Sequence, residues 1–245
     1  MVVAKQVRAS GGIWAHFGRF DAIIDPGPGT LVRALAGRPK LDPSKLHAII
    51  LTHRHLDHSA DANIIADAMT NGGWDKRGWL FAPCDALDSE PVVYSYLRDA
   101  MQVQVLREGN SYRVDDVPFS TPLRMRHGVE TYGLRFELPV GTVALIPDTE
   151  FFPEIAAALR AEVVILNLLR YEPHGDTAIQ HLCVADVERL LDEMRPRLAV
   201  ITHFGMTMLK AKPWEVAEGL TAHTGVKVVA ARDGMTLDLA EAPAL

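Results

Sequence analysis

Apolar residues along this 245-residue chain fall into short runs separated by polar turns, and those runs predict the elements. Alternating or continuous apolar stretches at 3–7, 20–24, 46–51, 78–81, 131–138 and 141–146 have the length and β-branched content of strands. So do 163–168, 198–202, 226–230 and 235–239. Apolar positions spaced three and four apart predict helices over 30–36, 60–69, 92–101, 178–194 and 213–223, with Ser59 as N-cap of the second. Strands in both halves with helices interspersed imply a layered α/β fold. No linker, repeat or low-complexity stretch interrupts residues 1–245, so one domain is expected.

The stretch between the strand at 46–51 and the helix at 60–69 changes the picture. It reads Thr52-His53-Arg54-His55-Leu56-Asp57-His58, three imidazoles and a carboxylate on one turn. Given the chain's histidine and aspartate content, this spacing arises by chance in roughly one such chain in a thousand. In an extended segment residues two apart share a side, so His53 and His55 can grip one cation while Asp57 and His58 reach a second. Imidazole with carboxylate suits zinc, manganese or iron rather than calcium or magnesium.

Four ligands cannot close two metal shells, and further candidates stand at the ends of later runs. His127 follows Leu123-Arg124-Met125-Arg126, Asp148 follows Val143-Ala144-Leu145-Ile146-Pro147, and His203 follows Leu198-Ala199-Val200-Ile201-Thr202. Singly, each has a bland reading: a surface histidine, an N-cap before a helix at 151–159, and a satisfied core histidine.

Together with Asp25 in Ile23-Ile24-Asp25-Pro26-Gly27, these residues occur in the order of the motifs of the metallo-β-lactamase-fold hydrolases, which this chain resembles from about residue 3 to 239. The resemblance implies a four-layer αββα sandwich with the metals at one edge of two facing sheets. It implies His53, His55 and His127 on one metal, Asp57, His58 and His203 on the other, and Asp148 shared. Asp25 would buttress the loop through hydrogen bonds rather than bind metal, although a plain turn residue before Pro26-Gly27 fits as well.

Two such cations, zinc first and manganese or iron as alternatives, would sustain a bridging hydroxide near neutral pH and attract anions. Hydrolysis is the expected reaction, with Asp57 and His181 as its catalytic residues. His181, about twenty residues before Thr202-His203-Phe204, resembles the leaving-group histidine of the phosphodiesterase branch, which includes tRNA 3′-processing endonucleases and cyclic-phosphate diesterases. It becomes the candidate general acid; a helix-terminal residue without chemistry is the alternative. His174, in His174-Gly175-Asp176, is a second candidate.

Composition narrows the substrate. Formal net charge is −6, which disfavours a polyanion. The tRNA enzymes also carry a glutamate where this chain has Ala144, and a long basic arm with no counterpart here. Arg54, Lys76, Arg77, Lys210 and Lys212 are expected as solvated surface. A small anionic phosphodiester or nucleotide-like molecule is favoured over tRNA. A lactonase or thioesterase on the same metals is the alternative, its pocket drawn from 74–101, where Trp74, Trp79, Phe81, Tyr94 and Tyr96 are mostly expected in the core. A diiron oxidoreductase or an idle metal-binding module shares the scaffold. His55 stands where the diiron flavoproteins carry glutamate, no flavodoxin-like domain follows, and every ligand position is filled.

Cys84 and Cys183 form no C-x-x-C pair, so both are expected reduced and buried, with Cys183 on a helix. No apolar run approaches a membrane span and residues 1–8 lack a signal peptide's apolar centre, so the expectation is a cytoplasmic enzyme, with a homodimer as the common state for its size.

Overall fold

The structure, a computed structural model, describes residues 7–10, 12–175 and 179–240. They fall into two compact units, one running up to Arg107 and including Arg113–Val117, the other comprising Glu108–Tyr112 and the chain from Pro118 onward.

The first unit is built on a five-stranded sheet, β1 (Ile13–Phe17), β2 (Phe20–Ile24), β3 (Ala48–Ile50), β4 (Trp79–Ala82) and β5 (Gln102–Val105), in chain order. β1 and β2 form an antiparallel hairpin, and β2, β3, β4 and β5 run parallel. Parallel neighbours need crossovers, and α1 (Thr30–Ala36), α2 (Leu56–Ser59), α3 (Ala62–Met69) and α4 (Ser95–Arg98) lie within them. α3 shows why: Ala62, Ile65, Ala66 and Met69 recur at helical spacing and all are buried, against a cluster that holds Ile49, Leu51 and Leu80. The apolar run at 46–51 thus supplies one side of a core and α3 the other.

The second unit is built on a seven-stranded sheet of order β12-β11-β10-β9-β8-β7-β6. Its strands are β6 (Asn110–Val114), β7 (Val117–Thr121), β8 (Leu134–Leu138), β9 (Gly141–Ile146), β10 (Val163–Asn167), β11 (Leu198–Thr202) and β12 (Val228–Ala230). β9 to β12 are parallel, and α5 (Glu154–Ala158), α6 (Val184–Met194), α7 (Met206–Lys210) and α8 (Pro213–Thr224) lie in their connections. α6 buries Val187, Leu190, Leu191 and Met194, again one helical stripe. α8 starts with Pro213 in its first turn and ends at Gly225, whose φ of 72° is the left-handed conformation that closes helices.

Several expectations are corrected. Residues 235–239 form no strand, and the strands at 46–51 and 131–138 are shorter than their apolar runs. The helix expected at 92–101 spans only Ser95–Arg98. The one expected at 178–194 starts at Val184 because Asp186 reaches back to the backbone N–H of Cys183, 3.0 Å, which makes Cys183 the N-cap. Ser59 caps nothing: it ends α2, and its hydroxyl donates to the carbonyls of Arg54 and His55, 3.0 Å each. The strand at 3–7, apart from Val7, and Asp176 and Ala178 lie outside the described residues.

Exposure corrects others. Trp74 is 85% exposed and Tyr94 and Tyr96 are stacked on the surface, so the aromatics of 74–101 are not mostly core, although Phe81 is. Arg77 is no solvated cation; it donates to the carbonyls of Ser44, Met69 and Leu46. Arg54 is clasped by Asp85 at 3.0 Å and by Glu90. Cys84 is only half-buried; Cys183 is buried, and burial, then Asp186, pushes its thiol pKa up. No helix among the described residues is long and apolar enough to cross a membrane.

Candidate metal centre

In both units most of the polar residues of interest, His127 and His181 excepted, follow the carboxyl ends of parallel strands, the usual place for ligands in open α/β sheets. In the first unit β2 leads into Asp25 and β3 into Leu51-Thr52-His53. Asp25 takes a φ of 52°, uncommon for a residue other than glycine, and its N–H donates to the carbonyl of Ile50, 2.9 Å. That geometry turns its carboxylate across the strand ends. Oδ1 accepts from the Thr52 N–H at 2.7 Å, and Oδ2 accepts from the Thr52 hydroxyl at 2.6 Å and from His58 Nδ1 at 3.0 Å.

This buried network decides the histidine tautomers. The Thr52 hydroxyl spends its proton on Asp25, so at 3.1 Å it can only accept from His53 Nδ1. His58 Nδ1 donates to a carboxylate. Both rings are therefore protonated on Nδ1, and in the neutral ring that leaves the lone pair on Nε2, the form that binds metals. His53 and His58 are buried with ring centroids 4.1 Å apart, and His55 stands edge-on to His53 at 4.9 Å. Asp57 Oδ2 lies 3.8 Å from His58 Nε2. Asp25, His53 and His58 each bring a ligand atom within 4.8 Å of the others, but with both oxygens of Asp25 engaged by Thr52 and His58, its part is to hold the rings.

In the second unit His127 sits in the loop between β7 and β8, Asp148 follows β9, His203 follows β11, and His181 precedes α6. His127 Nδ1 donates to the carbonyl of Gln180, 3.2 Å; a carbonyl can only accept, so this ring too presents its lone pair on Nε2. Asp148 is buried, with Oδ2 lying 3.6 Å from His203 Nε2 and 3.7 Å from His181 Nδ1. His181 lies edge-on to His127, centroids 5.2 Å apart, and stacks over His203 at 6.2 Å. His127, Asp148 and His181 form one group within 4.8 Å. Asp148 is not a helix cap, since α5 is preceded by Pro153. His174 is exposed and belongs to none of the His/Asp groups among the described residues.

Two partners were not anticipated from sequence. Thr52 fixes the tautomer of His53. Asn167, the last residue of β10, donates to Asp148 Oδ1 at 2.9 Å. Asn167 carried a readable signal: it ends the apolar run Val163-Val164-Ile165-Leu166 as Asp148 and His203 end theirs.

A sequence profile for the β-lactamase superfamily domain matches residues 22–204, which span every one of these groups. The chain belongs to the β-lactamase superfamily. It is 30% identical over 244 residues to protein MJ1374 of Methanocaldococcus jannaschii, covering 96% of this chain and 89% of the relative. Among solved structures it is similar to the metallo-β-lactamase fold protein YhfI of Bacillus subtilis, TM-score 0.78 at 18% identity over 93% of this chain and 90% of that one. It is also similar to a diphosphatase of the PhnP family, TM-score 0.67 at 19% identity over 94% and 84%. The fold is that of the metallo-β-lactamases. The superfamily's metal chemistry fits what each unit presents: Nδ1-protonated imidazoles beside carboxylates, a donor set suited to zinc, manganese or iron.

Proposed function

We propose that this superfamily member is a dinuclear-metal-dependent hydrolase acting on a small phosphodiester or nucleotide-like substrate. His53, His55 and His127 would hold one metal, Asp57, His58 and His203 the other, and Asp148 both. Bound there, the metals would supply Lewis-acid polarisation and a water acidified toward neutral pH. The chain's own residues do the rest. Asp25 and Thr52 keep His53 and His58 in the ligating tautomer, and the Gln180 carbonyl does so for His127.

The observation that carries the phosphodiesterase reading is the placement of His181. It is an imidazole beyond the ligand set, set beside Asp148, His127 and His203, and only one-fifth exposed. Nδ1 faces the Asp148 carboxylate, so a proton for the leaving oxygen would pass from Nε2. An alkoxide leaving a phosphodiester needs such a donor. The likeness to a PhnP-family diphosphatase supports phosphoester chemistry, and the negative net charge supports a small substrate over tRNA. A cytoplasmic homodimer accompanies this reading.

The test is elemental analysis of the purified protein followed by a panel of diesters, lactones and thioesters with added zinc, manganese or iron. Two metals per chain and turnover of diesters are expected. Turnover confined to lactones or thioesters would replace the phosphodiesterase with a carboxylic ester hydrolase. No turnover with both metals bound would remove hydrolysis itself.

A further inference from the structure

At the end of β10 the chain segment 167–170 bonds to Asp148 and to residues flanking His203 and His181. Asn167 donates to Asp148. The N–H of Leu168 donates to the carbonyl of Thr202, 2.8 Å, and the carbonyl of Leu169 accepts from the N–H of Gly205, 3.0 Å; these bonds flank His203, whose φ of 60° is the left-handed conformation. Arg170 pairs with the strand of residues before α6, its N–H donating to Leu182 beside His181. One short stretch of backbone thus sets His203 and His181, and one side chain sets Asp148.

That side chain is buried and chemically specific. A carboxylate cannot donate, so the Asn167 amide must present its NH₂ to Asp148. The bond occupies Oδ1. It leaves Oδ2 as the oxygen turned to His181 and His203. We propose that Asn167 is a positioning residue: its amide pins Asp148 through Oδ1 so that a single oxygen, Oδ2, is offered to both metals. The proposal rests on the two-metal reading above and adds a requirement to it. An Asp148 released from Asn167 can rotate about χ2, and Oδ2 is then no longer held toward His181 and His203.

The test uses Asn167→Leu, which keeps the size but removes the donor, and Asn167→Ala, with the whole chain and Mn(II) as probe. Calorimetry gives the number and affinity of bound Mn(II), EPR gives the magnetic exchange between the ions, and thermal unfolding gives the fold. The wild type should bind two ions with measurable exchange. Both variants should unfold near the wild-type temperature, hold the second ion about 10- to 100-fold more weakly, and show altered or absent exchange. Wild-type affinity and unchanged exchange in both variants would overturn the positioning role alone. Fewer than two ions in the wild type would overturn the two-metal reading and this proposal with it. Loss of the cooperative unfolding transition in both variants would make Asn167 a packing residue and would equally overturn it.

Discussion

The first unit gathers its candidate ligands within six consecutive residues, whereas the second draws them from loops and strand ends scattered between His127 and His203. The first therefore needs one device, Asp25, which binds Thr52 and His58 at once and so governs two rings across the turn. The second needs several: the Gln180 carbonyl for His127, Asn167 for Asp148, and the backbone of 168–170 for His203 and His181. A contiguous motif is easy to read because the chain itself enforces proximity. A dispersed one depends on parallel strands ending together, and its supports are mostly main-chain groups with no sequence signature.

The largest effect should come from removing one ligand on either side. His58→Ala in the first unit and Asp148→Asn in the second should each lower turnover by more than about 10³-fold, since a metal supplies several kcal/mol of transition-state stabilisation. Both variants should still unfold cooperatively by circular dichroism. If either keeps near-wild-type turnover, the two halves do not share one mechanism.

His181 sharpens the comparison because, among the described residues, no first-unit imidazole beyond His53, His55 and His58 belongs to a His/Asp group. His181→Ala should lower turnover by about 10²- to 10⁴-fold for alkyl diesters, whose leaving oxygen needs a proton, and far less for nitrophenyl diesters. Metal content by elemental analysis should not change. Equal losses on both substrates with depleted metal would make His181 a ligand and remove the main support for the phosphodiesterase reading.

Thr52→Val addresses tautomer control with a smaller expected effect. It removes the acceptor for His53 Nδ1 and one donor to Asp25 while keeping the branched shape. Zinc affinity, read by competition with a chelator, should fall about 10- to 100-fold. Unchanged affinity would show that His53 keeps its ligating tautomer without Thr52.

The apolar runs 20–24, 141–146 and 198–202 coincide with β2, β9 and β11 because central strands buried on both faces must be continuously apolar. Four strands carry no such expectation: β1, Ile-Trp-Ala-His-Phe, which is mostly apolar and only half-buried, β7, and two of polar character. β5, Gln-Val-Gln-Val, is an edge strand with three exposed residues, and β6 alternates around polar side chains. Neither β5 nor β6 has an apolar run to announce it. The amphipathic pattern of 178–194 puts His181 on a helix, yet it precedes α6: its N–H donates to the carbonyl of Ile179, 3.1 Å, and the next two residues are held by Arg170, a tertiary contact. The site was legible where chemistry is carried by side chains at strand ends. Asn167 lacks the metal-binding chemistry that drew attention to its neighbours, so it was passed over.

The smallest effects concern two glycines, one in each unit, that let backbone come unusually close to a ligand-bearing segment. A Cβ on Gly27 would lie 2.0 Å from the carbonyl oxygen of Asp57 and 2.3 Å from that of Ser10; one on Gly205 would lie 2.5 Å from the carbonyl oxygen of Leu169. Neither obstacle is a flexible side chain, so the backbone must move. Overpacking of this kind costs about 1 to 3 kcal/mol. Gly27→Ala meets two backbone oxygens, one in the first unit's ligand loop and one in the segment before β1, and should fall at the upper end or beyond. Gly205→Ala meets one and should fall at the lower. Urea unfolding of the metal-free proteins measures the difference, which should be about 1 kcal/mol or more in that order. Metal affinity should follow the same order, because Gly27 presses on Asp57 itself whereas Gly205 stands two residues beyond His203. If Gly205→Ala proves the costlier, the dispersed group of the second unit is the more tightly constrained, and proximity along the chain is not what makes the ligand loop depend on its supports.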